Sequence, residues 1–244
     1  MLEVDGLSRS YGRLEAVSDL TFVAPGGEIM GLVGPNGAGK TTTLRCLSGI
    51  LLPTSGRVRI CGHDLRDQPL EARRRLAFVA DEPRLFDYLT VQEHLTFSAR
   101  LHGVKDAESK AATLLGELEL TGRERSLPGE LSRGMKQKLA IACGLLHDPS
   151  VLLLDEPLTG LDPVGIRRMK DSIARRAAAG ACIVVSSHLL HLVEELCHRI
   201  LILKAGRLMA HGTLEEIKAA APRLEADASL EAIFLHMTAD GPRP

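Results

Sequence analysis

Short, continuously apolar runs alternate along this chain with longer segments whose apolar positions recur at helical spacing, a pattern that predicts α/β architecture. Residues 151–154 and 182–186 are apolar almost throughout, as strands buried on both faces of a parallel sheet should be. Residues 21–24 and 28–33 read as strands around a Pro25-Gly26-Gly27 turn, and 57–60 and 76–80 as further short strands. Residues 200–203 and 207–210 flank Lys204-Ala205-Gly206, a hairpin signal. From 91 to 147 the pattern changes to charged, helix-spaced sequence without strand signals, punctuated by Gly103, Gly116, Gly122 and Pro128. This predicts a helical lobe, 91–147, inserted into an α/β lobe formed by 1–90 and 148–214. Residues 215–244 read as a helical tail ending in a frayed Gly241-Pro242-Arg243-Pro244.

At 244 residues and 45% hydrophobic content, the chain can bury a sizeable core in one domain or two joined lobes. Thirty basic residues against thirty-one acidic ones leave no global field for nucleic acid, so no nucleic-acid partner is expected. Cys46, Cys61, Cys143, Cys182 and Cys197 are scattered and form no CxxC pair, which argues against a disulfide scaffold or a zinc site. The N-terminus carries acids and lacks the apolar core of a signal peptide, and the longest uncharged run, 177–193, is too polar to span a bilayer. The expectation is a cytoplasmic protein.

Gly34-Pro35-Asn36-Gly37-Ala38-Gly39-Lys40-Thr41 follows a predicted strand and precedes an apolar run, Leu44, Leu47, Ile50 and Leu51, at helical spacing. Glycines let backbone N–H groups wrap phosphate oxygens, and the helix that follows adds its N-terminal dipole. Lys40 is expected at the β- and γ-phosphates and the Thr41 hydroxyl on Mg²⁺, with Thr42 completing the binding turn. A second element, Val151-Leu152-Leu153-Leu154-Asp155-Glu156-Pro157, projects two carboxylates from the carboxyl end of a buried strand, where open α/β sheets bind ligands. Asp155 is expected to hold Mg²⁺ and Glu156 to polarise the attacking water.

With these residues in place, the sequence resembles the ATP-binding subunit of an ABC transporter, over nearly the whole stretch from 2 to 212. Leu131-Ser132-Arg133-Gly134-Met135 stands at the family's signature position, Gly160-Leu161-Asp162-Pro163 at its D-loop, and Ser186-Ser187-His188 at its switch histidine. Tyr11-Gly12 stands where the family places an aromatic ring against adenine. The resemblance implies a P-loop NTPase fold of the ABC ATPase type: a RecA-like α/β lobe with N-terminal antiparallel strands and an inserted helical lobe. It also implies ATP and Mg²⁺ as ligands, and two ATPase chains packed head to tail, identical or close paralogues. Ser132 and Gly134 of one chain would then face the γ-phosphate bound by the other, and His188 would touch it. The protein would sit on the inner face of the plasma membrane and power a separate permease, of the exporter kind. The rival readings are a soluble ABC-type ATPase not involved in transport and a regulatory nucleotide-binding module that closes on ATP without much hydrolysis. Independently of the family, Ser132 is a good N-cap for a helix carrying an apolar stripe of Met135, Leu139, Ala142, Leu145 and Leu146.

Two positions depart from the family's pattern. Its signature commonly has glycine where this chain has Arg133 and glutamine where it has Met135; Arg133 either adds a cation near the partner chain's phosphate or faces solvent. The family's glutamine after the 76–80 strand is here Asp81, expected to keep a role at the metal while adding negative charge. In Arg84-Leu85-Phe86-Asp87-Tyr88-Leu89-Thr90, Arg84, Phe86 and Tyr88 occupy the surface on which the family's membrane subunit docks. The two rings either anchor that partner or tuck back between the lobes.

Overall fold

The computed structural model describes residues 1–219 and 229–238. The chain opens with a long hairpin, β1 (Leu2–Tyr11) and β2 (Leu14–Ala24), and after the Pro25-Gly26-Gly27 turn enters the buried β3 (Ile29–Val33). The glycine-rich loop leads into α1 (Lys40–Leu47), then β4 (Ser55–Ile60), the two-residue β5 (His63–Asp64), α2 (Pro69–Arg73) and β6 (Leu76–Val79). Helices α3 (Val91–His102) and α4 (Ala107–Glu117), a 3₁₀ turn at Pro128–Glu130 and α5 (Arg133–Leu145) follow. Alternation then resumes with β7 (Val151–Asp155), α6 (Pro163–Ala178), β8 (Cys182–Ser186) and α7 (Leu190–Leu196). The hairpin β9 (Arg199–Lys204) and β10 (Arg207–Gly212) precedes α8 (Leu214–Ala219) and α9 (Leu230–Thr238).

The strands form two sheets. An antiparallel one runs β2-β1-β4-β5, and a second runs β10-β9-β3-β8-β7-β6, parallel except for β10. Every residue of β3, β7 and β8 is buried, which explains their unbroken apolar sequence. One core lies between the antiparallel sheet, α1 and the parallel sheet, built on Leu2, Leu20, Phe22, Leu44, Leu153 and Val184. Another joins the helical segment to the opposite face through Leu95, Leu114, Leu139, Ile141, Leu152 and Ile183. A smaller third core carries α8 and α9 on β9 and α7 through Val193, Ile202, Ile217, Leu230 and Ile233.

These elements meet most sequence expectations. Residues 91–147 hold only helices and turns among their regular elements, and 182–186 is a strand to the residue. The α1 expectation is corrected at its end: the helix stops at Leu47, Gly49 takes φ +73°, and Ile50 is exposed rather than on the buried stripe. β1 and the first half of β2 had no clean alternation, because Gly6 at φ +58° and three register shifts between the two strands break the period of two. α8 and α9 lie in or at the edge of the stretch expected as a helical tail, and Gly241-Pro242-Arg243-Pro244 lies outside the described residues.

Candidate nucleotide site

The glycine-rich loop is folded by close packing. A Cβ on Gly34 would stand 2.5 Å from the Leu203 carbonyl oxygen, and one on Gly39, at φ +100°, 2.5 Å from that of Ala16. Only glycine lets the loop sit this tightly on the neighbouring strands. Gly37 is also left-handed, at φ +78°, and Ala38 N–H turns inward to Pro35. The first helical bond of α1 runs from Thr43 N–H to the Gly39 carbonyl at 2.8 Å, so the amides of Lys40, Thr41 and Thr42 precede the ladder and face an incoming anion. Lys40 Nζ bridges the loop, donating to the carbonyls of Gly34 at 2.7 Å and Pro35 at 3.3 Å. Burial pushes its pKa down, while the carboxylates of Glu156 and Asp155 pull it back up.

Those carboxylates leave the end of β7 beside the end of β8. Ser186, fully buried, joins them: its hydroxyl donates to Asp155 Oδ1 at 2.5 Å and accepts the Glu156 N–H at 3.1 Å. Glu156 takes a left-handed backbone, φ +49°, an uncommon conformation for a side-chain-bearing residue and one often found at functional sites. Its Oε2 lies 2.8 Å from His188 Nδ1. Burial raises the Glu156 pKa, against the opposing pull of His188 and Lys40. In the sequence Ser186 stood only at the polar end of an apolar strand and beside His188; its bonds to the Asp155 carboxylate and the Glu156 amide are what sequence reasoning missed.

Thr41, Asp155 and Asp81 all line one cavity of about 910 Å³ between the α/β core and the helical segment. A hydroxyl and carboxylates suit Mg²⁺, which takes one or two protein oxygens and completes its shell with phosphate oxygens and water. Among the described residues no group of three or more His, Cys, Asp or Glu is placed to hold a metal ion.

At the start of α5, Ser132 caps the helix by accepting the Met135 N–H at 3.2 Å. Gly134 is fixed by contact: a Cβ there would meet the Gly160 carbonyl oxygen at 2.7 Å. Asp162 in turn caps α6 through the Gly165 N–H. Arg133 is exposed but makes contacts on two sides. Its stem lies over Gly160 and its Nη2 is 3.5 Å from Asp81 Oδ1.

Tyr11 ends β1, with the Arg9 guanidinium 4.7 Å from its ring centroid. In the 81–90 loop the two rings part company. Phe86 packs edge-on to Phe97 and against His94 while staying 55% exposed, whereas Tyr88 is 92% exposed. His94, buried and unremarked in the sequence, anchors the loop: its Nε2 accepts the Phe86 N–H at 2.9 Å, so its Nδ1–H donates to the Thr90 carbonyl at 2.8 Å.

Residues 17–159 match the ABC transporter family. The Nod factor export ATP-binding protein I of Paraburkholderia xenovorans is 38% identical over 213 residues, 86% of this chain and 70% of that protein. The probable multidrug ABC transporter ATP-binding protein YbhF of Escherichia coli is 34% identical over 243 residues; the match takes in 98% of this chain but 42% of YbhF. A solved structure of an ATP-binding subunit of an ABC transporter superposes with a TM-score of 0.92 at 37% identity, covering 97% of this chain and 99% of that one. On the family match and these relatives, the chain belongs to the ABC transporter ATP-binding proteins.

Proposed function

We propose that this chain is a Mg²⁺-dependent ATPase subunit that closes with a second ATPase chain over ATP and drives a separate exporter-type permease. The observation that carries the chemistry is the convergence of Lys40, Asp155, Glu156 and His188, coupled through short hydrogen bonds and mutual charge. In this reading the cradle amides and Lys40 bind the phosphates, and Thr41 and Asp155 hold the ion. Bound Mg²⁺ supplies neutralisation of the phosphate oxygens. Ser186 fixes Asp155 and the Glu156 backbone. Glu156 orients the attacking water and accepts its proton, a role favoured by a carboxylate whose proton affinity burial has raised. His188 aligns Glu156 and reaches toward the γ-phosphate, Tyr11 offers a face to adenine, and Ser132 and Gly134 present α5 to the partner chain's nucleotide. Residues 91–147 act as the signature lobe.

The permease reading is supported by the family and by the exposed apolar surface of Phe86, Phe97, Leu101 and Ile50 along the same cavity. No described helix is long and apolar enough to cross a membrane, so the transport path would belong to another segment or chain. The relatives named for export and multidrug transport support the direction. Purifying the tagged protein from gently solubilised native membranes, with mass spectrometry of what accompanies it, tests this. The expected companion is a polytopic membrane protein that is lost when Phe86 and Tyr88 are both replaced by alanine, with nucleotide affinity retained. A soluble partner or nucleic acid in its place would replace the permease reading with an ABC-type ATPase outside transport.

A further inference from the structure

Asp81 and Arg133 stand fifty-two residues apart, yet they meet. Arg133 Nη2 lies 3.5 Å from Asp81 Oδ1, and the two side chains are 62% and 43% exposed. A second polar contact joins α5 to the stretch just past β6. One turn along the same face, the buried Gln137 donates Nε2–H to the Ala80 carbonyl at 3.4 Å. On its other side the Arg133 stem covers Gly160, four residues beyond Glu156. A single side chain thus touches two of the loops that leave the carboxyl end of the parallel sheet, those after β6 and β7, from a helix of the opposite core.

The charge balance gives this contact a purpose. Asp81 lines the cavity that also holds Thr41 and Asp155, and Glu156 follows Asp155 in the chain. A third carboxylate at that end repels a triphosphate unless a cation answers it. Arg133 is that cation within the same chain, and the two departures from the family pattern are complementary.

We propose that Arg133 is a positioning residue for Asp81: it holds the carboxylate in a cross-lobe clasp that is exchanged for Mg²⁺ when metal-nucleotide binds. A pair this exposed adds little to folding stability and is screened by water, so a divalent cation can displace it. The clasp makes the orientation of the signature helix depend on whether the metal end of the cavity is filled. The inference rests on the nucleotide-site reading given above.

The test is a double-mutant cycle on the full-length protein, read by binding of a fluorescent ATP analogue at graded Mg²⁺ and without turnover. Arg133→Gln frees Asp81 and should lower the Mg²⁺ midpoint for nucleotide binding by about 3- to 10-fold, while Asp81→Asn should raise it. With both substitutions, the midpoint should differ from the product of the single effects by at least about threefold. Single effects that simply multiply would overturn the clasp. Lys40→Ala separates the two levels: loss of analogue binding upholds the site reading, whereas retained binding would overturn that reading and the clasp with it.

Discussion

His188 Nδ1 stands 2.8 Å from Glu156 Oε2, so the loop after β8 and the end of β7 are joined through a histidine and a carboxylate. The left-handed backbone of Glu156 costs on the order of 1–3 kcal/mol, and its persistence requires the surrounding contacts, chiefly Ser186, to fix it. Replacing Glu156 with glutamine keeps the shape and the contact to His188 but removes the proton acceptor. Steady-state phosphate release should fall by about 10²- to 10⁴-fold with ATP-analogue affinity within a few-fold of wild type. Wild-type turnover in this variant would remove Glu156 from its assigned role.

Ser186→Ala probes the same arrangement from beneath. It strips one hydrogen bond from a buried carboxylate and one from the Glu156 amide, at about 1–3 kcal/mol in stability. The thermal midpoint should drop and turnover should fall about tenfold, since Asp155 and Glu156 lose their common brace. A drop in midpoint without any change in turnover would restrict Ser186 to folding.

How far these features were legible depended on their range in sequence. The phosphate loop, Asp155-Glu156 and the buried strands were readable because each is a local pattern dictated by local geometry: glycines at φ above zero, carboxylates at a strand end, runs without alternation. β1 was not, because bulges around Gly6 hide its period. β5 is two residues long and carries no period at all. Ser186, His94 and the Asp81–Arg133 contact were invisible for another reason: each acts through a partner that the fold, not the sequence interval, brings near.

Gly134→Ala tests the packing of the signature helix on the loop after β7. The added methyl would stand 2.7 Å from the Gly160 carbonyl oxygen, backbone that cannot swing aside as a side chain would. Overpacking of this kind costs about 1–3 kcal/mol, so the thermal midpoint should fall by about 2–12 °C for a chain of this size. Cooperative dimer formation with ATP should weaken as well, measured by analytical ultracentrifugation in the Glu156→Gln background. An unchanged midpoint and unchanged dimerisation would show that the loop yields freely.

The stacked rings of His102 and His147, centroids 3.8 Å apart, make the fold sensitive to acid. Burial and the neighbouring His102 push His147 down to about 4, with Leu76 and Asp148 opposing and Lys110 adding to the shift. Its Nδ1 is buried without a hydrogen-bond partner, and Nε2 is 3.3 Å from the Leu76 carbonyl, so the neutral ring donating from Nε2 is the folded form. Between pH 4 and the ordinary histidine value of 6.5 the unfolded chain therefore binds more protons than the folded one. This contribution to stability is intact above about pH 6.5 and is lost progressively as pH falls toward 4. His102, lowered by burial, acts in the same direction. Thermal midpoints at pH 7.5, 6 and 5 should decline for wild type and decline less steeply for His147→Gln, which keeps an N–H donor for Leu76 but cannot take up the proton. Equal slopes in the two proteins would assign the acid sensitivity to other groups.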